Sequence, residues 1–176
     1  MTVFGIDLSL TSTGLASFDG ETWDVATVRT KPVDQSPGAF IDRVHHIAAE
    51  VINWCDPREG DVICIEGPSL HAKSNQLDRM FGAWWMVYAA LTAHHGDVWV
   101  IPPTVVKQLA TGKGNASKDQ VLLATTQRIP GAPITGNDTA DATWLAVAGT
   151  HIQGDGIPLP QQHLTGLLKL ITKGNP

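Results

Sequence analysis

The sequence has only two cysteines, Cys55 and Cys64. Neither belongs to a CxxC pair and both lie among apolar residues, so no disulfide framework or zinc site is expected, and both should behave as small buried hydrophobic residues. No apolar run approaches the roughly 18 to 20 residues that a membrane span requires. The first residues, MTVFGIDLS, lack a positively charged leader. We therefore expect a soluble, cytoplasmic protein with no membrane partner.

Repeats, low-complexity tracts and Gly/Pro-rich linkers are also missing. A chain of 176 residues that is 43% hydrophobic has enough apolar material for one core, which predicts a single domain. Six histidines show no ligand spacing, and surface or core-edge positions are expected for them: His45, His46, His94, His95, His151 and His163.

Charge is distributed unevenly along a chain whose formal net charge is −5. A net negative charge argues against a nucleic-acid partner, because binding to phosphates depends on Lys and Arg side chains. However, residues 67–128 contain six basic and three acidic side chains, whereas residues 1–66 contain four basic and eleven acidic ones. The middle segment therefore offers positive charge for phosphate binding, although a solvated helix face would have the same composition.

Five short runs predict strands. The first three, at residues 2–9, 14–18 and 22–29, predict an antiparallel meander, and Asp19-Gly20 between the last two tolerates the positive φ of a tight hairpin turn. The run at residues 61–66, DVICIE, is almost continuously apolar and is typical of a central strand covered on both faces. A fifth strand is predicted at residues 97–101, before two prolines.

Apolar residues at helical spacing predict an amphipathic helix at residues 40–54. Further helices are predicted at residues 74–95, 104–110, 117–127, 137–152 and 161–171. A strand, a helix and a second strand follow one another from residue 61 to residue 101, which implies a parallel crossover. The pattern predicts an α/β fold with a mixed sheet.

Four carboxylates are candidates for a shared site. Asp7 lies in the apolar run VFGIDL, where a charge is costly to bury unless a cation or hydrogen bonds compensate it. Glu66 ends the apolar run VICIE. Asp138 and Asp141 are three residues apart and would share one face of a helix. Divalent cations such as Mg²⁺ prefer oxygen ligands of this kind, and two such ions roughly 4 Å apart can support phosphodiester hydrolysis.

Structural explanations exist for three of these acids. Asp138 and Asp141 could be a helix N-cap and a first-turn acid stabilised by the helix dipole. Glu66 could be an exposed strand terminus. The hypothesis of a metal site therefore depends on the combination of all four residues.

The segments around these acids resemble one known family. GIDLSLTSTGLA around Asp7, VICIEGP around Glu66 and NDTADATWLA around Asp138 and Asp141 resemble the RuvC Holliday junction resolvases in order and spacing, phage-borne or divergent members most of all. The resemblance spans nearly the entire chain. It implies an RNase H-like α/β fold, with a mixed five-stranded sheet of antiparallel meander and parallel strands flanked by helices, and a single nuclease domain over residues 1–176.

The resemblance also implies an activity. The chain is expected to be a metal-dependent endonuclease that cleaves Holliday junctions or other branched DNA and leaves 5′-phosphate and 3′-hydroxyl ends. Its metal ligands would be Asp7, Glu66, Asp138 and Asp141, with two Mg²⁺ ions, or Mn²⁺, in each active site. Asp7 is expected to bridge both ions.

The basic stretch PPTVVKQLATGKGNASKDQV resembles the part of RuvC that carries two functional lysines, which match Lys107 and Lys118. Both are therefore candidates for contacting the junction backbone or supporting the scissile phosphate. Ser117 and Gln120 form a capping-box pattern that places Lys118 in a first helical turn. A solvated surface charge is the alternative for each lysine. The expected DNA contacts are Lys73, Arg79, Lys107, Lys113, Lys118, Leu70 and His71.

Two departures from the family pattern bear on substrate choice. Many members have Pro-Gly after the first aspartate, where this chain has Leu8-Ser9, and many have an aromatic residue after the strand glutamate, which has no counterpart here. Leu70 and His71 are the candidate substitutes. Because an aromatic stacking contact contributes roughly 1 to 3 kcal/mol per base, both strict four-way-junction cleavage and broader cleavage of forks and flaps stay open.

The predicted helix at residues 74–95 is apolar over a wide arc. One stripe combines Leu77, Met80, Phe81, Trp84, Tyr88 and Leu91, and Trp85 and Val87 widen it. The apolar residues beyond one stripe are explained either by deep burial or by packing against a second copy of the chain, since RuvC proteins form homodimers. A two-fold dimer would match the symmetry of a four-way junction.

Two other functions are alternatives. The chain could be a non-catalytic DNA junction-binding module, which would need no metal. It could also be a domain related to the actin-like ATPases, which share the sheet topology and begin with an aspartate on the first strand. Against the ATPase, the chain is short and contains no GxxxxGK[ST] phosphate loop.

Overall fold

The computed structural model describes residues 1–68 and 77–174. The strands within them are β1 (Val3–Asp7), β2 (Ser12–Phe18), β3 (Trp23–Arg29), β4 (Val62–Glu66) and β5 (Val98–Ile101). The helices are α1 (Pro37–Cys55), α2 (Leu77–His95), α3 (Pro103–Thr111), α4 (Lys118–Arg128), α5 (Asn137–Gln153) and α6 (Gln161–Lys173). Each lies within a few residues of its predicted position, and the predicted start of α2 at residue 74 lies outside the described residues.

The strands form one mixed sheet in the order β3-β2-β1-β4-β5. β1 pairs antiparallel with β2, and β2 pairs antiparallel with β3. β4 pairs parallel with β1, and β5 pairs parallel with β4. The predicted meander, the parallel crossover through α2 and the mixed five-stranded sheet are thereby confirmed.

Local chemistry explains the turns and helix ends. Asp19 Oδ1 accepts hydrogen bonds from the backbone N–H groups of Glu21 and Thr22, and Gly20 has a φ of 104°, so the predicted hairpin turn between β2 and β3 is confirmed. At α4, the Gln120 N–H donates to Ser117 Oγ and the Ser117 N–H donates to Gln120 Oε1, which is the predicted capping box.

The two faces of the sheet are covered differently. Because side chains alternate along a strand, the bulky residues of β1, β2 and β4 point to the face covered by α1 and α2. These buried residues are Phe4, Ile6, Leu15, Ile63 and Ile65. The other face presents small residues to α5, among them Gly5, Ala16 and Cys64. Helices α3, α4 and α6 complete the core on that side.

The apolar stripe of α2 differs from its prediction. Trp84, Val87 and Leu91 are buried, whereas Met80 is 41% exposed and Trp85 is 59% exposed. Met80 therefore does not belong to the buried stripe, and Val87 does. The buried side of α2 packs against α1.

Other sequence interpretations are confirmed or corrected by burial. Both cysteines are buried and free, as predicted, and burial raises the pKa of the Cys55 thiol to about 12. His163 was expected at the surface or core edge, but it is buried in the core, where its Nδ1 lies 2.7 Å from the carbonyl oxygen of Leu109. Among the helices of the described residues, none combines the length and apolar character needed to cross a membrane.

Candidate active site

Asp7 and Glu66 lie side by side at the carboxyl ends of two parallel strands. Ile6 of β1 is paired with Ile65 of β4, so the next residue of each strand stands at the same level of the sheet. Alternation then places both carboxylates on the α5 face, because Gly5 and Cys64, two residues earlier, face α5. Glu66 is also fixed through its backbone, since Trp84 Nε1 donates a hydrogen bond of 2.8 Å to its carbonyl oxygen.

Two glycines let α5 lie directly against the sheet. A Cβ atom at Gly5 would overlap the carbonyl oxygen of Ala142, and one at Gly14 would overlap the carbonyl oxygen of Asp138. Gly14 is paired with Asp7 across β1 and β2. The close approach therefore brings the first turns of α5, with Asp138 and Asp141, to the level of Asp7.

The pKa values of the strand carboxyls are raised. Burial raises the pKa of Asp7 well above its usual 3.8, and the negative charges of Glu66 and Asp141 raise it further, while Lys118 lowers it. The pKa of Glu66 is raised to about 7, first by burial and then by the negative charge of Asp141. Lys118, Lys107 and a hydrogen bond with Asp7 lower it, but by less. The ionised form of each acid is therefore disfavoured by burial and by a nearby negative charge.

The two acids of α5 have different partners. Burial raises the pKa of Asp141 to about 6, and the Lys118 cation opposes this effect. Lys118 Nζ lies 3.9 Å from Asp141 Oδ2. Asp138 Oδ2 instead accepts a 2.6 Å hydrogen bond from Ser12 Oγ. Asp141 is 9% exposed and Asp7 is 8% exposed, whereas Asp138 is half-buried.

Neither acid of α5 is the N-cap of the helix. Gly136 occupies the cap position, and Thr139 Oγ1 accepts hydrogen bonds from the N–H groups of Thr135 and Gly136. Asp138 lies in the first turn, where the helix dipole favours a negative charge. The capping explanation for Asp138 is therefore wrong, whereas a dipole contribution is compatible with its position.

The two lysines matched by resemblance lie on the same side of the molecule as the acids. Lys107 is on α3 and half-buried, and its charge lowers the pKa values of Glu66 and Asp141. Lys118 is the first residue of α4, and its side chain is 61% exposed. An exposed ammonium beside buried carboxylates can reach an incoming phosphate.

The donor set suits a hard divalent cation, although the side chains are not drawn together around one point. Within residues 1–68 and 77–174, no group of three or more His, Cys, Asp or Glu side chains is arranged to hold a metal ion. Besides the larger effect of burial, the charges of Glu66 and Asp141 raise the pKa of Asp7 and the charge of Asp141 raises that of Glu66, so ionising these acids brings like charges together. A cation among them would relieve this repulsion, and carboxylate oxygens are the ligands that Mg²⁺ prefers.

The remaining predicted DNA contacts are scattered. Lys113 is exposed in the loop after α3, whose Gly112 adopts a φ of 78°. Arg79 donates hydrogen bonds to the carbonyl and side-chain oxygens of Gln35 and stacks on Phe40, with 5.5 Å between its guanidinium carbon and the ring centroid. Leu70, His71 and Lys73 lie outside the described residues.

Sequence reasoning missed two residues that support the site. Ser12 donates to Asp138 although 126 positions separate them, and no spacing rule predicts such a contact. Arg43 of α1 donates to Thr30 Oγ1 and to the carbonyl oxygens of Leu10 and Thr30, which ties the β1–β2 loop to the end of β3. An arginine in an amphipathic helix gives no such signal in the sequence.

An apolar cavity of about 270 Å³ opens next to Glu66. It lies between the β1–β2 loop and the first turns of α2. The side chains of Leu8, Leu10, Met80, Phe81 and Trp84 contribute to its walls.

Comparisons with known proteins identify the class of this fold. The structure of RuvC from Thermus thermophilus superposes with a TM-score of 0.64 at 24% identity, covering 90% of this chain and all of that one. A structure of T. thermophilus RuvC in complex with a Holliday junction substrate superposes with a TM-score of 0.62 at 23% identity, covering 90% of this chain and 99% of that one. The fold is therefore RNase H-like, as in RuvC.

Sequence comparison then gives the family. The family model described as "Crossover junction endodeoxyribonuclease RuvC" matches residues 3–151. Proteins named crossover junction endodeoxyribonuclease RuvC are similar over most of their length. The one from Pseudarthrobacter chlorophenolicus is 31% identical over 88% of this chain and 82% of that protein, and the one from Erythrobacter litoralis is 28% identical over 86% and 93%. The chain belongs to the RuvC family.

Proposed function

We propose that this protein is a structure-selective endonuclease that resolves Holliday junctions by hydrolysing a phosphodiester bond. The observation that carries the proposal is the placement of Asp7, Glu66 and Asp141 on the adjacent elements β1, β4 and α5, where burial raises the pKa of each, in a chain of the RuvC family. Buried carboxylates that repel one another are costly to the fold, and such groups cluster at functional sites. The products carry 5′-phosphate and 3′-hydroxyl ends.

The site is proposed to hold two divalent ions, Mg²⁺ or Mn²⁺. Asp7 lies within electrostatic reach of Glu66, Asp141 and Asp138, and it would be a ligand of the ions together with them. Glu66 and Asp141 contribute on either side, and Asp138 completes the set. Glu66 and Asp138 are half-buried, so their side chains have room to turn towards a bound cation. When bound, the ions activate a water molecule and stabilise the leaving oxygen.

The protein groups have separate tasks in this proposal. The four carboxylates would bind the divalent ions and fix their positions. The apolar residues of β1 and β4 exclude bulk water from beneath these carboxylates. Lys118 holds a positive charge beside Asp141, where the scissile phosphate would lie. Lys107 adds positive charge near Glu66 from α3. Lys113 and Arg79 are proposed to contact the arms of the DNA, as is Lys73, which lies outside the described residues. Binding should weaken steeply with salt because it releases counterions.

A two-fold homodimer is proposed to place two such sites on one junction. The exposed face of α2, with Met80 and Trp85, offers large apolar side chains for this contact. Aromatic residues and methionine are typical of interface cores. Analytical ultracentrifugation should give the mass of two chains, and a single-chain mass at micromolar concentration contradicts this part of the proposal.

The first test is cleavage of a synthetic four-way junction. The wild-type protein should cut it with Mg²⁺ and not with EDTA. Asp7→Asn should reduce the cleavage rate by about 1,000-fold, in the range expected when a preorganised catalytic charge is removed, and should leave junction affinity unchanged. Asp42→Asn, at an exposed position of α1, is the matched control and should cut normally.

The outcomes separate the alternatives. Junction binding without cleavage in any metal would favour the non-catalytic binding module. Stabilisation of the protein by ATP would favour the ATPase-related domain, which membership of the RuvC family argues against. A panel of four-way junctions, forks and flaps would show whether this chain, with Leu70 and His71 after the strand glutamate, cuts only four-way junctions.

A further inference from the structure

We infer that Ser12 is a positioning residue that aims the carboxylate of Asp138 at the metal site. This inference rests on the proposed function and adds a residue to it. Ser12 begins β2, and Ser12 Oγ donates a hydrogen bond of 2.6 Å to Asp138 Oδ2.

The backbones of both residues that form this hydrogen bond are held in place. Two residues further along β2, Gly14 lies against the carbonyl of Asp138, so the backbone of Asp138 is held at a fixed height above the strand. Ser12 itself is held by the sheet, because it is paired with Arg29 of β3. The hydroxyl therefore acts from one fixed backbone on a side chain attached to another.

This contact leaves one oxygen of Asp138 available. Within residues 1–68 and 77–174 no hydrogen bond to Oδ1 is found, so the Ser12 hydroxyl engages Oδ2 alone. A carboxylate held through one oxygen has a restricted rotation and presents the other oxygen in a defined direction. Partners of this kind around metal ligands are worth typically 10- to 100-fold in metal affinity.

The neighbouring acid shows what is particular to Ser12. Asp141 lies beside a cation, Lys118, whose attraction acts over a distance and tolerates movement. Asp138 has a neutral donor at short range, which constrains direction without neutralising the charge that binds a metal. The two acids of α5 therefore differ in their partners: the Lys118 cation acts on the charge of Asp141, and the Ser12 hydroxyl fixes the orientation of Asp138.

Two nearly isosteric variants test the inference. Ser12→Thr keeps the hydroxyl and Ser12→Val replaces it with a methyl group, and both residues suit a strand. We expect Ser12→Val to raise the Mg²⁺ concentration for half-maximal cleavage by about 10-fold, with the rate at saturating Mg²⁺ and the affinity for the junction much less affected. Ser12→Thr should stay near wild type, as should the control Ser17→Ala at the other end of β2.

A readout without DNA completes the test. The Mg²⁺ concentration that half-maximally raises the melting temperature of the DNA-free protein should shift by the same factor in Ser12→Val. In an Asp138→Ala background the Ser12 substitutions should have no further effect, because the carboxylate that accepts the hydrogen bond is absent. Equal Mg²⁺ requirements of the Thr and Val variants overturn the inference. A wild-type protein that responds to Mg²⁺ in neither assay overturns the proposed function instead.

Discussion

The two faces of the central sheet use the same strands for opposite purposes. Towards α1 and α2, the strands present bulky side chains such as Leu15 and Ile65, which are fully buried and stabilise the fold. Towards α5, the same strands present glycine, alanine and, at their ends, acids. Gly14 and Leu15 are neighbours in β2 and point to different faces. Burial of bulky residues on the first face therefore stabilises the fold, and this stability offsets the cost of placing like charges close together on the second face.

The largest expected effect is on the stabilising face. Leu15→Ala should lower the free energy of unfolding by about 2 to 5 kcal/mol, because it opens a cavity among fully buried residues. Denaturant unfolding measures this change. Cleavage of a four-way junction at a temperature where the variant is folded should be close to wild type. A large loss of Mg²⁺-dependent cleavage in the folded variant would show that the two faces are not separable.

The reverse pattern is expected one residue earlier. Gly14→Ala places a methyl group against the carbonyl oxygen of Asp138 and pushes the first turn of α5 away from Asp7. A displacement of about 1 Å can reduce catalysis about 100-fold, whereas overpacking costs roughly 1 to 3 kcal/mol of stability. Steady-state cleavage kinetics with a melting curve on the same sample measure both.

A matched control makes the Gly14 prediction specific. Gly38 is the second residue of α1 and nothing lies within 4 Å of a Cβ atom added to it, so Gly38→Ala adds the same methyl group without a contact. It should change neither cleavage nor the Mg²⁺ requirement. If Gly14→Ala cuts as fast as Gly38→Ala, α5 is not positioned by this close approach.

A smaller effect concerns the acids themselves. The pKa of Glu66 is about 7 in the folded protein against an ordinary 4.5, so the folded state holds a proton between these values that the unfolded state has lost. The metal-free protein should therefore gain stability as pH falls from 8 towards 5, and lose it as pH rises through 7. Asp141, with a pKa of about 6 against 3.8, acts in the same direction at lower pH.

Glu66→Gln removes this dependence and serves as the comparison. Across pH 5 to 8 the difference in unfolding free energy between wild type and Glu66→Gln should change by on the order of 2 kcal/mol, with the variant favoured at high pH. Saturating Mg²⁺ should diminish the difference, because the cation stabilises the ionised form. Parallel pH profiles of the two proteins would contradict the raised pKa of Glu66.

The strands and most helix positions were predictable because their signals are local. Asp19-Gly20 specified its hairpin, and Ser117 with Gln120 specified the start of α4. Asp7 and Glu66 were predictable as neighbours because each ends an apolar strand. The contact of Ser12 with Asp138 was not, because it depends on how closely α5 approaches β2.

The sequence also could not predict which side chains of α2 are exposed. Met80 and Trp84 fit one helical stripe equally well, yet Met80 is exposed and Trp84 is buried. Which side of a wide apolar arc is covered depends on where α1 lies, and helical spacing does not contain that information. The same holds for His163, whose burial follows from the packing of α6 against α3.

The central claim is that acids from β1, β4 and α5 bind divalent cations together. Crystals of the protein soaked in Mn²⁺ and measured by anomalous diffraction test it most directly. The account predicts anomalous peaks within about 2.5 Å of carboxylate oxygens of Asp7, with Glu66 or Asp141 completing each site, and no such peaks in Asp7→Asn. Mn²⁺ peaks only elsewhere on the surface, in crystals of a protein that cuts junctions, would contradict it.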